Sequence, residues 1–290
     1  MVRTKTKRPR IGLALSGGAA RGIAHVGVLR ALADHEIPIS CVAGTSAGSL
    51  VGGALASGIP LAEIESIAKN LRWRDVGRMT MSRLGVQSNE RLEQYLRARM
   101  PITRFEDLPI PFAAVATDLH SGEAVIMRDV GDVPFAIRAS CAIPGWYIPV
   151  IDEHGRQLVD GGLVANIPSS IARSLGAELV VAVDVNAEGA KFLGPPLSII
   201  SVLLQSTMLV QRTAALHQLQ QADVIIKPLV GHIRWDEMSR AEELIAAGYD
   251  AAVNSLPKVT ELIEAGTKSA PKWYQFRRRK EDNKPARSIS

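Results

Sequence analysis

From Ile11 onward, short apolar segments alternate with longer ones of helical period, and that alternation leaves few folds open. "IGLAL" (11–15) reads as a first strand, followed by a glycine loop and a helix to about residue 35. "PISCVA" (38–43) reads as a second strand, entering a small-residue turn and a helix to residue 57. "ELVVAVDVN" (178–186) and "DVIIKP" (223–228) lack polar alternation, as strands buried on both faces require. "PFAAVATDL" (111–119) and "EAVIMRD" (123–129) flank a turn at Gly122, and residues 148–162 read as a second hairpin turning at His154 and Gly155. Helical spacing is present over 61–71, 90–99, 168–175, 197–219 and 239–265, the last expected to break near Pro257. Residues 72–88, "RWRDVGRMTMSRLGVQS", show no period and read as a lid-like excursion. The order predicts an α/β layer architecture around a largely parallel sheet.

A chain of 290 residues, 47% hydrophobic, can bury a large core in one domain. The expected domain covers residues 11–265, between basic tails over 1–10 and 266–290. The formal charge of +5 belongs to those tails. Residues 1–10 hold five bases and no acid, and 268–290 hold eight bases against two acids; of 34 bases and 29 acids in all, 21 and 27 are left between. "KWYQFRRRK" (272–280) mixes aromatics with cations, a composition suited to anionic lipid headgroups and equally to nucleic acid. The stretch 193–210 is interrupted by Pro195, Pro196 and several polar residues, so no membrane span is predicted. Cys41 and Cys141 sit in apolar surroundings, and the N-terminus lacks a secretory pattern, so a reduced, cytoplasmic protein is expected.

"GTSAGS" (44–49) places Ser46 between Gly44 and Gly48, after an apolar run and before a helix of small residues. G-x-S-x-G in that setting has the form of a nucleophile elbow; it is also what an ordinary strand-to-helix turn capped by serine looks like. A serine hydroxyl needs a base to take its proton. Asp160 ends a predicted strand before Gly161 and Gly162, whose lack of side chains lets the backbone crowd another loop; "DGG" also suits a plain turn. A Ser, Asp, His order could be completed by His217 or His232, neither with supporting context, while His25 reads as a hydrogen-bonded helix residue and His154 as a solvated hairpin tip.

An oxyanion needs donors, and "SGGAARG" (16–22) offers the amides of Gly17, Gly18 and Ala19 at a helix start. Arg21 beside them suits either orientation of the loop or contact with a substrate phosphate, and equally an ordinary packing role; Gly22 completes the loop. A nucleotide site fits less well, because the loop lacks the G-K-[ST] ending and Ala19 replaces the middle glycine of G-x-G-x-x-G.

Together "ALSGGAARGIAHVGVL", "GTSAGS" and "VDGGLVANIP", in that order, resemble the patatin-like phospholipase family over residues 10–255. The resemblance implies a three-layer α/β/α sandwich and a lipid acyl hydrolase that uses a Ser–Asp dyad without a catalytic histidine, with Ser46 matching the nucleophile, Asp160 the general base and the 17–22 loop the oxyanion hole. It implies a lipid or fatty-acyl ester as substrate and no cofactor or metal. Nucleic acid is then not an expected partner, and an anionic membrane surface, met through the basic tails at the inner face, is. The alternative is a catalytically weak regulatory or membrane-docking relative. Ala19 departs from the glycine common at that position; its role survives at negative φ, whereas positive φ would cost about 1 kcal/mol or more.

Overall fold

The computed structural model of the chain describes residues 8–188, 195 and 198–269. The first half runs Ile11–Leu15 (β1), Ala24–Asp34 (α1), Cys41–Thr45 (β2), Ala47–Ala56 (α2), Leu61–Asn70 (α3), Trp73–Val76 (α4), Arg78–Met79 (β3), Gly85–Ser88 (β4) and Glu90–Arg97 (α5). Next come Phe112–Asp118 (β5), Ala124–Arg128 (β6), Val133–Ser140 (α6), Gly145–Tyr147 (β7), Val150–Ile151 (β8), Gln157–Asp160 (β9), Gly162–Ala165 (α7) and Ser169–Ser174 (α8). The chain closes with Leu179–Val183 (β10), Ile199–Leu219 (α9), Val224–Ile226 (β11) and Ala241–Ser269 (α10).

Strands β11, β10, β1, β2 and β5 pair in parallel in that spatial order, so β1 is central and flanked by strands from both halves of the chain. Side chains of β1 alternate between two cores, as the two-residue period of a strand dictates. Ile11, Leu13 and Leu15 join Val26, Leu29, Leu244 and Val259 on the face covered by α1 and α10. Ala14 faces the other way with Ala43, Ala113, Val180 and Ala182, against Ile167, Ile171 and Ala215. Alanines on that second face let α7 and α8 approach the sheet closely. The layers are helix, sheet and helix, as the resemblance implies.

The register on β5 positions the site. Val115 pairs with Thr45 of β2 on one edge and with Ile126 of β6 on the other. Ala116, the next residue, pairs with Val125 of β6 and with Asp160 of β9. Because β6 takes one edge at both positions, β2 and β9 must share the other, end to end. β2 runs parallel to β5 and β9 antiparallel, so their C-terminal ends converge.

Four local expectations change. The second strand begins at Cys41 rather than at residue 38 and continues through Thr45, leading directly into the turn. The last helix does not break: Pro257 lies inside α10, where Leu256 and Val259 are both buried, so packing on either side outweighs one missing backbone donor. Residues 72–88, which showed no period, carry regular structure: β3 and β4 pair with each other and β4 with β7 in a separate small sheet. Helix α6, capped by Asp132 Oδ1 accepting from the Phe135 N–H at 2.7 Å, had no counterpart in the pattern reading. Among the described residues no helix is long and apolar enough to cross a membrane. Most of the two basic tails, including residues 272–280, lies outside the described residues.

Candidate active site

Ser46 sits between β2 and α2 at φ 53° and ψ −124°, a left-handed conformation that costs a non-glycine residue about 1–3 kcal/mol. Its neighbours make the bend possible. A Cβ on Gly44 would lie 2.5 Å from the Gly48 carbonyl oxygen, and one on Gly48 would lie 2.2 Å from that of Leu15. The strand, the helix and β1 therefore cross at backbone distance. Three contacts hold the turn: the Ser46 N–H donates to Ser140 Oγ at 2.8 Å, the Ser49 N–H to the Ser46 carbonyl at 2.8 Å, and Thr45 Oγ1 to the Ala165 carbonyl at 2.6 Å.

Asp160 is fixed from several sides. Its N–H donates to the Ala142 carbonyl at 2.9 Å, its own carbonyl accepts from Thr117 Oγ1 at 3.0 Å, and Oδ1 accepts from the Gly162 N–H at 2.8 Å. The carboxyl and the Ser46 hydroxyl line the same cleft. Burial pushes its pKa up to about 6, against the opposing pull of the Ser46 and Gly162 donors. Gly161 and Gly162 serve this crowding: a Cβ on Gly161 would lie 2.2 Å from the Val115 carbonyl oxygen, and one on Gly162 would lie 2.5 Å from Gln211 Nε2.

The 16–22 loop reaches the same place but only part of it faces Ser46 as a donor array. The Gly17 N–H donates to the Asn166 carbonyl at 3.2 Å, so the expected oxyanion role of Gly17 is corrected: its amide is already spent. Among the described residues the amides of Gly18 and Ala19 have no hydrogen-bond partner, and both residues line the cleft with Ser46. Ala19 has φ 49°, the strained outcome, at a cost of about 1 kcal/mol or more. The Gly17–Gly18 peptide is pinned from outside, because Asn186 Nδ2 donates to the Gly17 carbonyl at 2.8 Å. A trans peptide directs its C=O and N–H oppositely, so this bond also sets the aim of the Gly18 N–H. Arg21 is fully buried; Nε donates to the Ile233 carbonyl at 2.7 Å and Nη2 to that of Gly231 at 3.2 Å. Burial lowers its pKa, opposed by the charge of Glu188. Its guanidinium braces the 231–233 loop instead of awaiting a phosphate. Gly22 packs against α2, where a Cβ would meet that of Ala47 at 2.3 Å.

Two cavities adjoin the elbow. The cleft holding Ser46 and Asp160 encloses about 520 Å³ including its mouth, and is walled by Ile143, Trp235 and, from α9, Leu204, Met208 and Gln211. The second, about 740 Å³ with its mouth, lies among α1, α2, α3 and α5 and is lined almost wholly by aliphatic side chains. The cavities share Ala19, and the second also touches Ala47, next to Ser46.

No histidine lines the cleft. His25 Nε2 bonds to the Ser16 carbonyl at 2.8 Å, and burial lowers its pKa to about 4, so the ring is neutral at pH 7. His232 Nε2 pairs with Glu243 Oε1 at 2.7 Å, and His217 is exposed on α9, so neither completes a triad. Cys141, half-buried, lies 3.9 Å from Ser49 Oγ and within reach of the Ser46 hydroxyl; burial and the Asp160 charge push its thiol pKa up, which keeps it protonated. Ser140, Asn166, Asn186 and Trp235 were not anticipated as site residues. Asn166 lies inside the quoted motif "VDGGLVANIP" and Asn186 at the end of the strand-like segment "ELVVAVDVN", whereas Ser140 and Trp235 lie outside every segment that pointed to a site.

A serine on a strained strand-to-helix elbow, at the end of a parallel strand and sharing a cleft with a buried carboxyl, in a sheet between helical layers, defines an α/β fold of the nucleophile-elbow class. The family model described as patatin-like phospholipase matches residues 13–173, more than half of the chain, and the protein belongs to that family. A Mycobacterium tuberculosis protein described as an uncharacterized NTE family protein is 40% identical over 185 residues, which are 63% of this chain and 51% of the relative. The lysophospholipase NTE1 of Mycosarcoma maydis is 36% identical over 183 residues, 61% of this chain and 10% of that one. The chain thus spans about half, or far less, of the length of these relatives. The crystal structure of VipD from Legionella pneumophila has the same fold, with a TM-score of 0.59 at 15% identity over 87% of this chain and 67% of that one.

Proposed function

We propose that the protein is a lipid acyl hydrolase in which Ser46 and Asp160 act as a two-residue catalytic unit. The observation that carries this reading is the β5 register, which sets a strained serine beside a buried carboxyl whose pKa is about 6. Ser46 Oγ forms a bond to the ester carbonyl carbon while its proton passes to Asp160. The Gly18 and Ala19 amides receive the negative charge on the carbonyl oxygen, each donor worth about 10²- to 10³-fold in rate. Collapse breaks the bond to the leaving alkoxide, which takes the proton from Asp160. Water then attacks the acyl-serine, losing its proton to Asp160, and Ser46 regains that proton as the fatty acid departs. The acyl chain lies in the aliphatic cavity reached past Ala19, while the amphipathic cleft under α9 receives the rest of the lipid at a membrane surface.

The reading is tested with a fluorophosphonate probe and a panel of acyl esters. Wild type is expected to be labelled on Ser46 and to turn over long-chain esters. Ser46→Ala should abolish labelling and lower turnover by at least about 10³-fold. Asp160→Asn should lower kcat by about 10²- to 10⁴-fold. Esterase activity that survives in Ser46→Ala defeats the proposal.

A further inference from the structure

We propose that the outer face of α9 and the adjoining 78–84 edge of the small sheet form one docking surface for an anionic lipid bilayer, bringing the mouth of the Ser46 cleft onto the membrane. The purpose of this surface rests on the lipid hydrolase reading; its chemistry stands on its own residues.

Helix α9 is apolar on two sides. Its inner row, Leu204, Met208 and Gln211, walls the cleft. Its outer side chains recur at helical steps of four and seven (199 to 203, 203 to 210, 209 to 216): Ile199 is 81% exposed, Leu203 53%, Leu209 57%, Val210 58% and Leu216 65%. A helix that covers a globular protein ordinarily turns charged residues outward, and a contiguous aliphatic stripe marks a contact surface. Residues 199–219 contain no Asp or Glu.

A second apolar patch meets the first. Met79 is 68% exposed and Leu84 61%, and Met81 is fully exposed. β3 pairs with β4, β4 with β7, and β7 packs against α9, so the small sheet joins the second patch to α9. Arg78 and Arg83 interleave with these side chains, residues 76–89 contain no acid, and among the described residues neither arginine makes an ion pair.

Aliphatic and thioether side chains among uncompensated cations fit the boundary between acyl chains and phosphate headgroups. The same surface fits a second copy of the chain poorly, because a two-fold contact would set Arg78 and Arg83 against their own copies without acids between them. The position of α9 supplies the remaining argument: the helix that presents the stripe also walls the cleft, so a bilayer on this face borders the route to Ser46.

Flotation of the full chain carrying Ser46→Ala, with phosphatidylcholine vesicles containing or lacking phosphatidylglycerol, tests the surface without hydrolysis. The protein is expected to float with the anionic vesicles. Leu203→Asp with Leu209→Asp, and separately Met81→Asp with Leu84→Asp, should each lower the bound fraction by at least about tenfold with an unchanged thermal midpoint. Arg78→Glu with Arg83→Glu should weaken flotation with anionic vesicles at low salt. Aspartate variants that float as well as the parent overturn the proposal, as does a dimer in sedimentation that Leu209→Asp dissociates and that never floats. Absence of ester turnover by wild type, with aspartate-sensitive flotation intact, would remove the hydrolase reading and leave the surface standing.

Discussion

At its ordinary pKa a carboxylate is a weak base for an alcohol, and the role proposed for Asp160 draws the missing basicity from burial, at a cost to the fold. Burial raises the pKa to about 6, while the Ser46 hydroxyl and the Gly162 N–H hold part of that rise back. In the proposed mechanism the reacting form is the ionised one, so kcat/KM is expected to fall about tenfold per pH unit below about 6 and to level off above it. Stability runs the other way. A folded pKa above the unfolded value means that the folded state binds the proton more tightly, so this stabilisation is complete at pH values below the ordinary carboxylate value of 3.8 and is lost as pH rises through about 6. Asp160→Asn cannot ionise, so its thermal midpoint should gain on that of wild type between pH 4 and 7, read by calorimetry. A gap that does not move with pH, together with a flat activity profile, would contradict the environment described. That Ser46 and Asp160 come together was legible because each sits in a short motif whose glycines announce a close approach. Ser140 and Asn186 were not, because a serine that accepts from the Ser46 N–H and an asparagine that pins Gly17 across 169 residues acquire their roles only through the tertiary path of the chain.

At the scale of elements, the aliphatic cavity is made by four helices that each leave small or flexible side chains on one facing surface. α2 contributes Ala47, Val51 and Ala54, α3 Ile64 and Ala68, and α5 Leu92 and Leu96. The run of Ala and Gly in α2 lets it approach the sheet, where a Cβ on Gly52 would lie 2.7 Å from Val42 Cγ1. The same economy of side chains leaves space on its other side. Ala54→Phe would fill much of that space from a rigid helical position. The expected result is a drop of about tenfold or more in kcat/KM for long-chain esters with little change for short-chain ones, measured over a homologous series. An equal loss at every chain length would place the acyl group elsewhere. Elements of strong local character were readable in advance: β1 and β10 are runs of aliphatic residues, and α9 has an unambiguous helical length. Pro257 misled because intrinsic propensity competes with packing, and in α10 the buried Leu256 and Val259 decide. Residues 72–88 gave no period because β3 and β4 are short and their partner, β7, lies about sixty residues on; pairing of that kind leaves no trace in a local window.

Across the whole molecule, the C-terminal third is as much a part of the site as the motif-bearing half. The family match ends at residue 173, yet α9 walls the cleft, Trp235 lines it, and the Trp235 carbonyl accepts from the Ala20 N–H at 2.8 Å. Helix α10 closes the arrangement by lying against α1, which begins where the 16–22 loop ends. That crossing is made at backbone distance. A Cβ on Gly27 would lie 1.8 Å from the Ile245 carbonyl oxygen, and one on Gly248 would lie 1.9 Å from that of Ala24. Neither clash is with a flexible side chain, so α1 and α10 must separate to admit a methyl group. Gly248→Ala and Gly27→Ala are each expected to cost about 3 kcal/mol or more in denaturant unfolding. Since one separation of the helices makes room at both positions, the double variant should cost clearly less than the sum of the two. Because only Ile23 separates Ala24 from the loop, kcat should fall in the folded fraction of either single variant. Additive losses in stability with unchanged kcat would mean that the helix crossing and the loop are mechanically independent.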